Sequence, residues 1–309
     1  MGLHREIRRL AQLGARGYWD HATRRSKERL RIFLDRNAPQ RRRCSCCGWA
    51  GWSFVDYEGK GYVVRRIVCP VCGSHGRHRA LAPFLRTLLA ELSPGKKVLH
   101  LAPERALERT FMERRDLLYV TADLIRRRWL GKLGALTDLT SLAFRDNSFS
   151  LVLCSHVLEH VRDDHAALAE IARVVAFGAT VLILVPTWKP WNSRRTLEFG
   201  MPHPRFDDHW RIYGSDLPAR IEACGMRCAA VDLRAPLQRR AFERFALTDE
   251  VLFICVKPKI EGRKAAVASR PHTARIPCNL ALLERPFRTS AQPCDRQAAG
   301  LEGGQGWAR

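Results

Sequence analysis

The sequence contains no apolar run long enough to cross a bilayer. Its longest strongly apolar run, 181–185, is far shorter than the roughly 20 residues that a membrane-spanning helix needs. Residues 1–13 are basic and lack the apolar stretch of a secretory signal peptide. Glu6 stands where a myristoylation signal requires Ser or Thr. We therefore expect a cytoplasmic protein without a transmembrane segment.

Acidic residues are also scarce. The 309 residues include 31 Asp and Glu against 53 Lys and Arg, which gives a formal net charge of +22. Most of this excess lies at the two ends, in residues 1–43 and 257–309. Basic ends of this kind raise the local concentration of nucleic acid, acidic glycans or anionic membrane surface. A solvated arginine-rich arm without a partner has the same composition, so both interpretations stay open.

Eleven cysteines, an odd number in a chain without an apolar leader, argue against a disulfide scaffold. Four of them form two pairs with two-residue gaps, each followed by glycine: Cys44 with Cys47, and Cys69 with Cys72. A two-residue gap lets both thiolates of a pair reach one ion, and glycine lets the backbone curl around the sulfurs. The pattern predicts a zinc-ribbon-like unit with four sulfur ligands. Cys46 stays an alternative to Cys44 or Cys47, and buried or disulfide-linked thiols are the other interpretation.

Composition divides the chain into four segments. Residues 1–40 form a basic arm in which apolar residues recur at helical spacing, and 41–78 form the zinc-ribbon-like unit, with strands near 52–55 and 62–64. A larger domain is expected over 79–258. Residues 259–309 are rich in Arg, Ala, Pro and Gly without any period, which predicts a disordered basic tail.

Short apolar runs alternate with helical patterns throughout the larger domain. The pattern predicts strands at 97–101, 117–121, 150–154, 179–185, 226–233 and 250–256, and helices at 79–92, 104–114, 164–175 and 215–224. Such alternation is typical of an α/β fold, in which helices cover both faces of a parallel sheet. The segment that joins the last two strands is short for the crossover helix that parallel neighbours need, so an antiparallel ending is expected.

Candidate ligand-binding residues follow the ends of these strands, because open α/β sheets bind ligands outside the carboxyl ends of their strands. The residues at these positions are 100–104, Asp123, 137–139, 155–156 and 186–187. Asp123 lies about twenty residues after the first strand's turn, the offset at which a carboxylate binds ribose hydroxyls. A helix cap is the alternative role for Asp123.

The segment from Asp138 to Val161, and the helix and Phe177-Gly178 pair that follow it, resemble class I S-adenosylmethionine-dependent methyltransferases of the type 11 group. The resemblance covers roughly residues 96–257. It implies a Rossmann-like sheet of seven strands, the last of them antiparallel, with S-adenosylmethionine as the cofactor beside the predicted zinc.

The resemblance also implies roles for individual residues. It implies that Asp123 binds the ribose hydroxyls, that Asp138 and Leu139 flank the adenine, and that Ser155 and His156 lie beside the methionine end or the methyl acceptor.

The first turn departs from the family pattern, which has an acidic residue followed by Gly-x-Gly. Here the matching stretch is 100–104, in which Ala102 replaces a glycine and Pro103 has no N–H to donate. Within the resemblance, His100, Ala102 and Glu104 are assigned to the cofactor, and Glu104 supplies the negative charge that its ammonium group needs. A degenerate pocket in a non-catalytic zinc-bearing adaptor is the alternative.

Histidines are the candidate bases, because transfer to a hydroxyl or a protonated amine requires removal of a proton. We nominate His156 and His209 as catalytic, whereas His160 is expected to be structural. In similar enzymes a stretch like 208–213 lines the substrate side as a lid, and here Asp208, His209 and Arg211 would form a polar site for an anionic substrate.

The expected activity is methyl transfer to a small molecule or to a glycan or lipid precursor, with the zinc unit as a fixed cap over the substrate cleft. A ribosomal RNA or other nucleic-acid methyltransferase is an alternative, in which the basic ends hold phosphates. No Asn/Asp-Pro-Pro-Tyr motif follows Cys154, which weakens the case for an exocyclic amine of a base as the target.

Overall fold

The computed structural model describes residues 39–59, 62–125, 133–204, 208–233 and 239–259, together with isolated helical positions between 23 and 37. Most of the predicted basic arm (1–40) and almost all of the predicted disordered tail (259–309) lie outside the described residues. Within the described part of the chain, no helix combines the length and the apolar character that a membrane span requires.

The N-terminal unit consists of two antiparallel hairpins. Its strands are β1 (Arg42–Arg43), β2 (Ala50–Gly51), β3 (Val55–Glu58) and β4 (Val63–Val68). Gly48 and Gly73, which follow the two cysteine pairs, have φ angles of 75° and 72°. Glycine reaches this left-handed conformation without the penalty that a Cβ imposes. The N–H of Gly48 donates to the carbonyl of Cys44, and that of Gly73 to Cys69, each at 2.9 Å, so each pair closes a tight turn.

Nine further strands follow among the described residues. They are β5 (Lys97–Leu101), β6 (Leu118–Asp123), β7 (Leu133–Leu136), β8 (Phe149–Ser155), β9 (Val175–Leu184), β10 (Leu197–His203), β11 (His209–Ile212), β12 (Arg227–Asp232) and β13 (Val251–Val256). Strands β10 and β11 pair as a separate hairpin, and the other seven form one sheet in the order β12-β13-β9-β8-β5-β6-β7. Strand β13 is antiparallel to both neighbours, while β5 to β9 pair in parallel.

This sheet confirms the predicted Rossmann-like fold, including its antiparallel ending. The strand pattern by itself had located six of the seven strands. It missed β7, whose sequence Leu-Gly-Ala-Leu is a short edge strand with too little apolar patterning to be recognised. The order of strands along the chain reverses between β5 and β8, which is where such sheets bind ligands.

Helices cover both faces of the sheet. They are α1 (Gly76–Glu91), α2 (Arg105–Met112), α3 (Asp164–Val174), α4 (Leu217–Ala223) and α5 (Arg239–Phe245), with one 3₁₀ turn at Leu158–His160. Helix α3 begins as its sequence predicts, because the carboxylate of Asp163 accepts a hydrogen bond from the N–H of Ala166 at 2.9 Å.

Two buried clusters form the core, one on each face of the sheet. Alternate residues of a strand point to opposite faces. In β8, accordingly, Leu151 and Leu153 pack in one cluster, whereas Val152 and Cys154 pack in the other. The first cluster also contains three of the four paired cysteines and the apolar side of α1. The N-terminal unit therefore shares its core with the sheet domain.

Helix α1 joins the N-terminal unit to the larger domain. It begins at Gly76, so the boundary expected between residues 78 and 79 falls inside a continuous helix. We use the name four-cysteine unit for residues 41–78, which include the first three residues of α1.

The guanidinium of Arg79, in α1, holds the two parts together. Its side chain is buried with 0% exposure and lies 3.9 Å from the ring centroid of Phe54. It donates hydrogen bonds of 2.5–2.8 Å to four backbone carbonyls, which belong to Ile67, Ser74, Phe245 and Ala246. Two of these lie in the four-cysteine unit and two at the end of α5, so one side chain satisfies acceptors from both parts.

Replacement of Arg79 by Met tests this joint. The variant leaves four carbonyls without their donor, so we expect the free energy of unfolding to fall by about 3–5 kcal/mol. Urea unfolding of the zinc-loaded protein measures this change. Arg239→Met is the matched control, because Arg239 is exposed and pairs with Glu243 one turn away, and its loss should cost under about 0.5 kcal/mol. Equal losses in the two variants would contradict the role given to Arg79.

Candidate functional site

Four cysteine sulfurs converge at the centre of the four-cysteine unit. The Sγ atoms of Cys44, Cys47, Cys69 and Cys72 all lie within 4.8 Å of one another. Cys44 and Cys72 are 3.6 Å apart, and Cys47 and Cys69 are 3.7 Å apart. A tetrahedral zinc ion with Zn–S bonds of about 2.3 Å places its sulfurs about 3.8 Å apart. The group can therefore hold one zinc ion, and it contains all four predicted ligands; Cys46 is buried nearby but is not a member.

A large cleft opens at the carboxyl edge of β5, β6 and β8. Its volume is about 1110 Å³, above the roughly 300–1000 Å³ of a usual small-molecule site. It is lined by eight of the nine residues predicted for the cofactor and for catalysis: Ala102, Glu104, Asp123, Asp138, Leu139, Ser155, His156 and His209. The cleft has room for a nucleoside cofactor and a second molecule together.

His100 does not line the cleft, contrary to the prediction. Its ring is fully buried, with Nδ1 at 3.0 Å from the hydroxyl of Tyr119 and its centroid 5.1 Å from that of Phe111. His100 lies within β5 rather than after it. Successive side chains of a strand point to the two faces of the sheet, so its side chain points into one of the helix-covered faces and not toward the end of the strand. Burial lowers the pKa of His100 to about 4, so the ring is neutral at pH 7.

The turn after β5 keeps the geometry of a glycine although it contains Ala102. The φ angle of Ala102 is 44°, in the left-handed region that costs a residue with a Cβ roughly 1–2 kcal/mol. The N–H of Ala102 donates to the carbonyl of Ala122 at 2.7 Å, which fixes the turn against β6. Pro103 is buried and does not line the cleft. The substitution that suggested a degenerate pocket therefore leaves the cleft open.

Glu104 is fixed at the floor of the cleft by the start of α1. Its Oε1 accepts hydrogen bonds from His78 Nε2 at 2.6 Å and from Arg77 at 3.1 Å. His78 Nδ1 accepts from the backbone N–H of His75 at 3.0 Å, so Nε2 carries the proton that it donates to Glu104. Burial by itself would raise the pKa of the Glu104 carboxyl, but His78, Arg77 and His156 hold this pKa well below its usual value. The carboxyl is therefore ionised.

Several buried polar atoms of the cleft lack a hydrogen-bond partner among the residues that the structure describes. They are Glu104 Oε2, Ser155 Oγ and His156 Nε2. An unsatisfied buried polar atom costs about 1–3 kcal/mol, so such atoms mark a place where a ligand supplies the missing bonds. Like Ala102, His156 has a positive φ, 53°, so two of the residues that follow central strands have left-handed backbones.

A carboxylate and an apolar surface lie together beyond the end of β6. Asp123 is buried, and its Oδ1 accepts from the N–H of Ile125 at 3.2 Å. The side chains of Leu124 and Ile125, by contrast, are 66% and 61% exposed and line the cleft. Exposed apolar side chains beside a polar group are typical of a ligand-binding site. The N–H of Thr137 donates to the carbonyl of Asp123 at 3.0 Å, and the next residue, Asp138, accepts two hydrogen bonds from Thr140, which lower the pKa of Asp138.

Histidines gather at the other end of the cleft. His160 is exposed and lines the cleft, and its ring meets that of His209 edge-on at 4.7 Å. The sequence had suggested a structural role for His160, because the 3₁₀ turn that turns its ring outward was not foreseen. His156 Nδ1 lies 3.3 Å from Glu159 Oε1. Burial alone would lower the pKa of His156, but Glu159 raises it.

The predicted polar site at 208–213 divides into two parts. His209 and Trp210 line the cleft. Arg211 does not, because its guanidinium is buried, pairs with Glu198 at 2.8 Å and donates to the carbonyls of Val161 and Arg162 at 2.6 Å. Arg211 therefore fixes the β10–β11 hairpin and is not available to an anionic substrate.

The four-cysteine unit, expected from the sequence to be a cap over the substrate cleft, supplies one wall of the cleft, although the sequence does not indicate which residues form it. Its wall residues are Tyr57, Tyr62, Val64, Ile67, His75 and Arg77. The rings of Tyr57 and His75 meet edge-on at 4.8 Å. The signal in the sequence was the run of Tyr and Val around the hairpin turn, which was attributed only to strand formation. The unit thus takes part in the site as well as in the core.

The family model described as a methyltransferase domain (Methyltransf_11) matches residues 118–183. This segment runs from β6 into β9 and includes Asp123, Asp138, Ser155 and His156, so it confirms the predicted resemblance. No curated protein matches the chain in sequence.

Solved structures with a similar fold are distant in sequence. A chain from the complex of the Haloferax volcanii Trm112 methyltransferase activator is 17% identical, with a TM-score of 0.44 and coverage of 60% of this chain and 92% of that one. The 1,6-didemethyltoxoflavin-N1-methyltransferase of Burkholderia thailandensis is 14% identical, with a TM-score of 0.44 and coverage of 58% of this chain and 79% of that one. The geranyl diphosphate C-methyltransferase of Streptomyces coelicolor is 14% identical, with a TM-score of 0.42 and coverage of 58% of this chain and 78% of that one.

Replacement of Cys69 by Ser tests the metal site. Loss of one of four thiolates should release zinc and loosen α1, because Cys69 and α1 belong to one buried cluster. Elemental analysis should give well under one zinc per chain, and circular dichroism should show reduced helicity. Cys224→Ser, at the end of α4 and outside the sulfur cluster, should keep its zinc. Full zinc content in Cys69→Ser would show that the ligand set is wrong.

Substitutions at Ala102 test the left-handed turn. We expect Ala102→Gly to change the free energy of unfolding by under about 1 kcal/mol, whereas Ala102→Val should cost more than about 2 kcal/mol, because a β-branched residue fits poorly at positive φ. Ala169, exposed in the middle of α3, is the control. There Gly should cost about 1 kcal/mol and Val less, which is the opposite order. The same order at both positions, measured by urea unfolding, would contradict the assigned backbone.

Proposed function

We propose that the protein is an S-adenosylmethionine-dependent methyltransferase that acts on a small molecule or on a glycan or lipid precursor. One observation carries the proposal. An open cleft lies at the reversal point of a methyltransferase-type sheet, and it is lined by a buried carboxylate, an exposed apolar surface and unsatisfied polar atoms.

The residues at the end of β6 fit a nucleoside. The carboxylate of Asp123 can accept hydrogen bonds from both ribose hydroxyls, which distinguishes a nucleoside from a simple phosphate. Leu124 and Ile125 offer the exposed apolar surface that an adenine ring would cover, and Asp138 and Leu139 line the same cleft. Burial of that surface would contribute about 25 cal/mol for each Å² removed from water.

The residues after β5 and β8 fit the amino-acid end. Glu104 is ionised, and its Oε2 lacks a hydrogen-bond partner among the described residues, so it can accept from an ammonium group. Ser155 Oγ is available as a donor to a carboxylate. The left-handed turn at Ala102 brings the backbone close to this point.

When bound, the sulfonium supplies an activated methyl group, so the chain's own residues have to align the acceptor and keep water away. His156 and His209, the two histidines proposed as catalytic, line the end of the cleft away from Asp123. The acceptor therefore lies between these histidines and the tyrosines of the four-cysteine unit.

The wall formed by the four-cysteine unit supports a small acceptor or the end of a longer precursor. Tyr57, Tyr62 and Val64 give this wall an aromatic and aliphatic surface, which suits a ring or a sugar face rather than a phosphate backbone. Among the described residues of this unit, the one arginine or lysine that lines the cleft is Arg77, and it already pairs with Glu104.

Calorimetry with S-adenosylhomocysteine tests the cofactor site. The zinc-loaded protein should bind it, and Asp123→Ala should bind it at least 10-fold more weakly, because a carboxylate's hydrogen bonds contribute about 1.5–3 kcal/mol each. Asp116→Ala is the matched control, since Asp116 lies just before the opposite end of β6 and outside the cleft. No heat with the wild-type protein would refute the enzymatic proposal, and equal affinity in Asp123→Ala would refute the ribose assignment.

Labelled methyl donor then separates the acceptor classes. Incubation with fractionated extract should place label in the small-molecule, glycan or lipid fractions, and Asp123→Ala should abolish it. Label confined to RNA would favour the nucleic-acid alternative and contradict the acceptor class proposed here.

A further inference from the structure

Glu159 is a buried carboxylate that the proposed methyl transfer leaves unexplained. Its side chain has 0% exposure, and neither of its oxygens has a hydrogen-bond partner among the described residues. Its one ion-pair partner in that part of the chain is His156, whose Nδ1 lies 3.3 Å from Oε1. Removing a carboxylate from water without hydrogen bonds is costly, so a cation is the natural partner for this group.

Two imidazoles lie beside this carboxylate. Glu159, His160 and His209 each offer one ligand atom, and these atoms all lie within 4.8 Å of one another. All three residues line the cleft, and His160 is exposed to it. At this spacing one ion can reach all three ligand atoms.

The fold holds these residues in place from behind. The Arg211 guanidinium, two residues after His209, donates to the carbonyls of Val161 and Arg162, both at 2.6 Å. These bonds tie β11 to the segment that directly follows the 3₁₀ turn bearing Glu159 and His160. A site whose elements are fixed before the ligand arrives loses little entropy when the ligand binds.

We propose that Glu159, His160 and His209 bind one divalent transition-metal ion at the acceptor end of the cleft. Two imidazole nitrogens and one carboxylate oxygen are a ligand set used by catalytic Zn²⁺ and other first-row ions, and such a set leaves coordination positions open. His156 lies against the carboxylate of Glu159 and can orient it, as the partners of metal ligands commonly do. The site is distinct from the four-cysteine unit, whose ligands are all sulfur.

The open coordination positions of the ion define its role, which is to bind and orient the methyl acceptor. They face the cleft, so an oxygen of the acceptor, from a hydroxyl or a carboxylate, completes the coordination and is held in a fixed orientation. In this arrangement His209 acts as a metal ligand and not as a base. Binding of the ion requires only the three side chains, so the metal site does not depend on the proposed methyl transfer, whereas its role toward an acceptor rests on that proposal.

Titration of the full chain with Mn²⁺ tests the site, with free Mn²⁺ followed by electron paramagnetic resonance and with the chain first brought to one zinc per chain, which the four sulfurs retain. Mn²⁺ competes poorly for thiolates, so the four-cysteine unit should keep its zinc. We expect one Mn²⁺ per chain, and at least 10-fold weaker binding in Glu159→Gln and in His209→Ala. His165→Ala, an exposed histidine at the start of α3 and outside the cluster, should bind as the wild type does.

His160→Ala is the variant that keeps the test valid if Glu159→Gln or His209→Ala fails to fold, because the His160 side chain is exposed. It too should bind Mn²⁺ at least 10-fold more weakly. Absence of a bound Mn²⁺, or equal affinity in the wild type and in every folded variant, would overturn the metal site. S-adenosylhomocysteine binding is measured in parallel. Cofactor binding without Mn²⁺ binding refutes this inference alone, whereas Mn²⁺ binding without cofactor binding refutes the methyltransferase proposal alone.

Discussion

The buried guanidinium of Arg79 is the interaction on which the rest of the site depends. It satisfies carbonyls of the four-cysteine unit and of the segment after α5 at once, and burying a charge is tolerable only because these bonds and the nearby thiolates compensate it. With this joint in place, α1 starts at the rim of the sheet. Its first turn then brings Arg77 and His78 to Glu104, and the β3–β4 hairpin becomes a wall of the cleft. The four-cysteine unit thus acts on the site through its position.

Backbone strain is concentrated where the sheet meets the cleft. Ala102 and His156 follow the two central strands, β5 and β8, and both have left-handed backbones. Strained residues of this kind persist only where the surrounding structure fixes them, and they are common at binding sites. Here the strain at Ala102 preserves a close approach of the backbone that glycine usually provides. The Asp123 carboxylate, one strand away, lines the same cleft.

Much of the fold could be predicted from the sequence because the central strands are continuous apolar runs with short connections. The convergence of the four paired cysteines was predictable because a two-residue gap followed by glycine is typical of metal-binding cysteines. The residues after the strands, such as Asp123 and Ser155, were predictable because topology alone places them at one edge. The same argument was wrong for His100, because this residue lies inside β5, where the alternation of side chains between the two faces of the sheet decides the direction of each side chain.

Tertiary contacts decided what the sequence left open. The hairpin of β10 and β11 buries Arg211 among backbone carbonyls, and no local sequence pattern predicts this burial. The 3₁₀ turn turns His160 outward and Glu159 inward, although both occupy one short polar stretch. The spacing His156-x-x-Glu159-His160 is the feature of the sequence that indicates a cluster here. The cluster also needs His209, about fifty residues later, which β11 places beside His160.

A crystal structure of the zinc-loaded protein soaked with S-adenosylhomocysteine tests the central claim most directly. The account predicts the nucleoside at the carboxyl edge of β5 and β6, with both ribose hydroxyls on Asp123 and the adenine against Leu124 and Ile125. A cleft closed by the turn at Ala102 and Pro103, or a nucleoside bound away from Asp123, would contradict it.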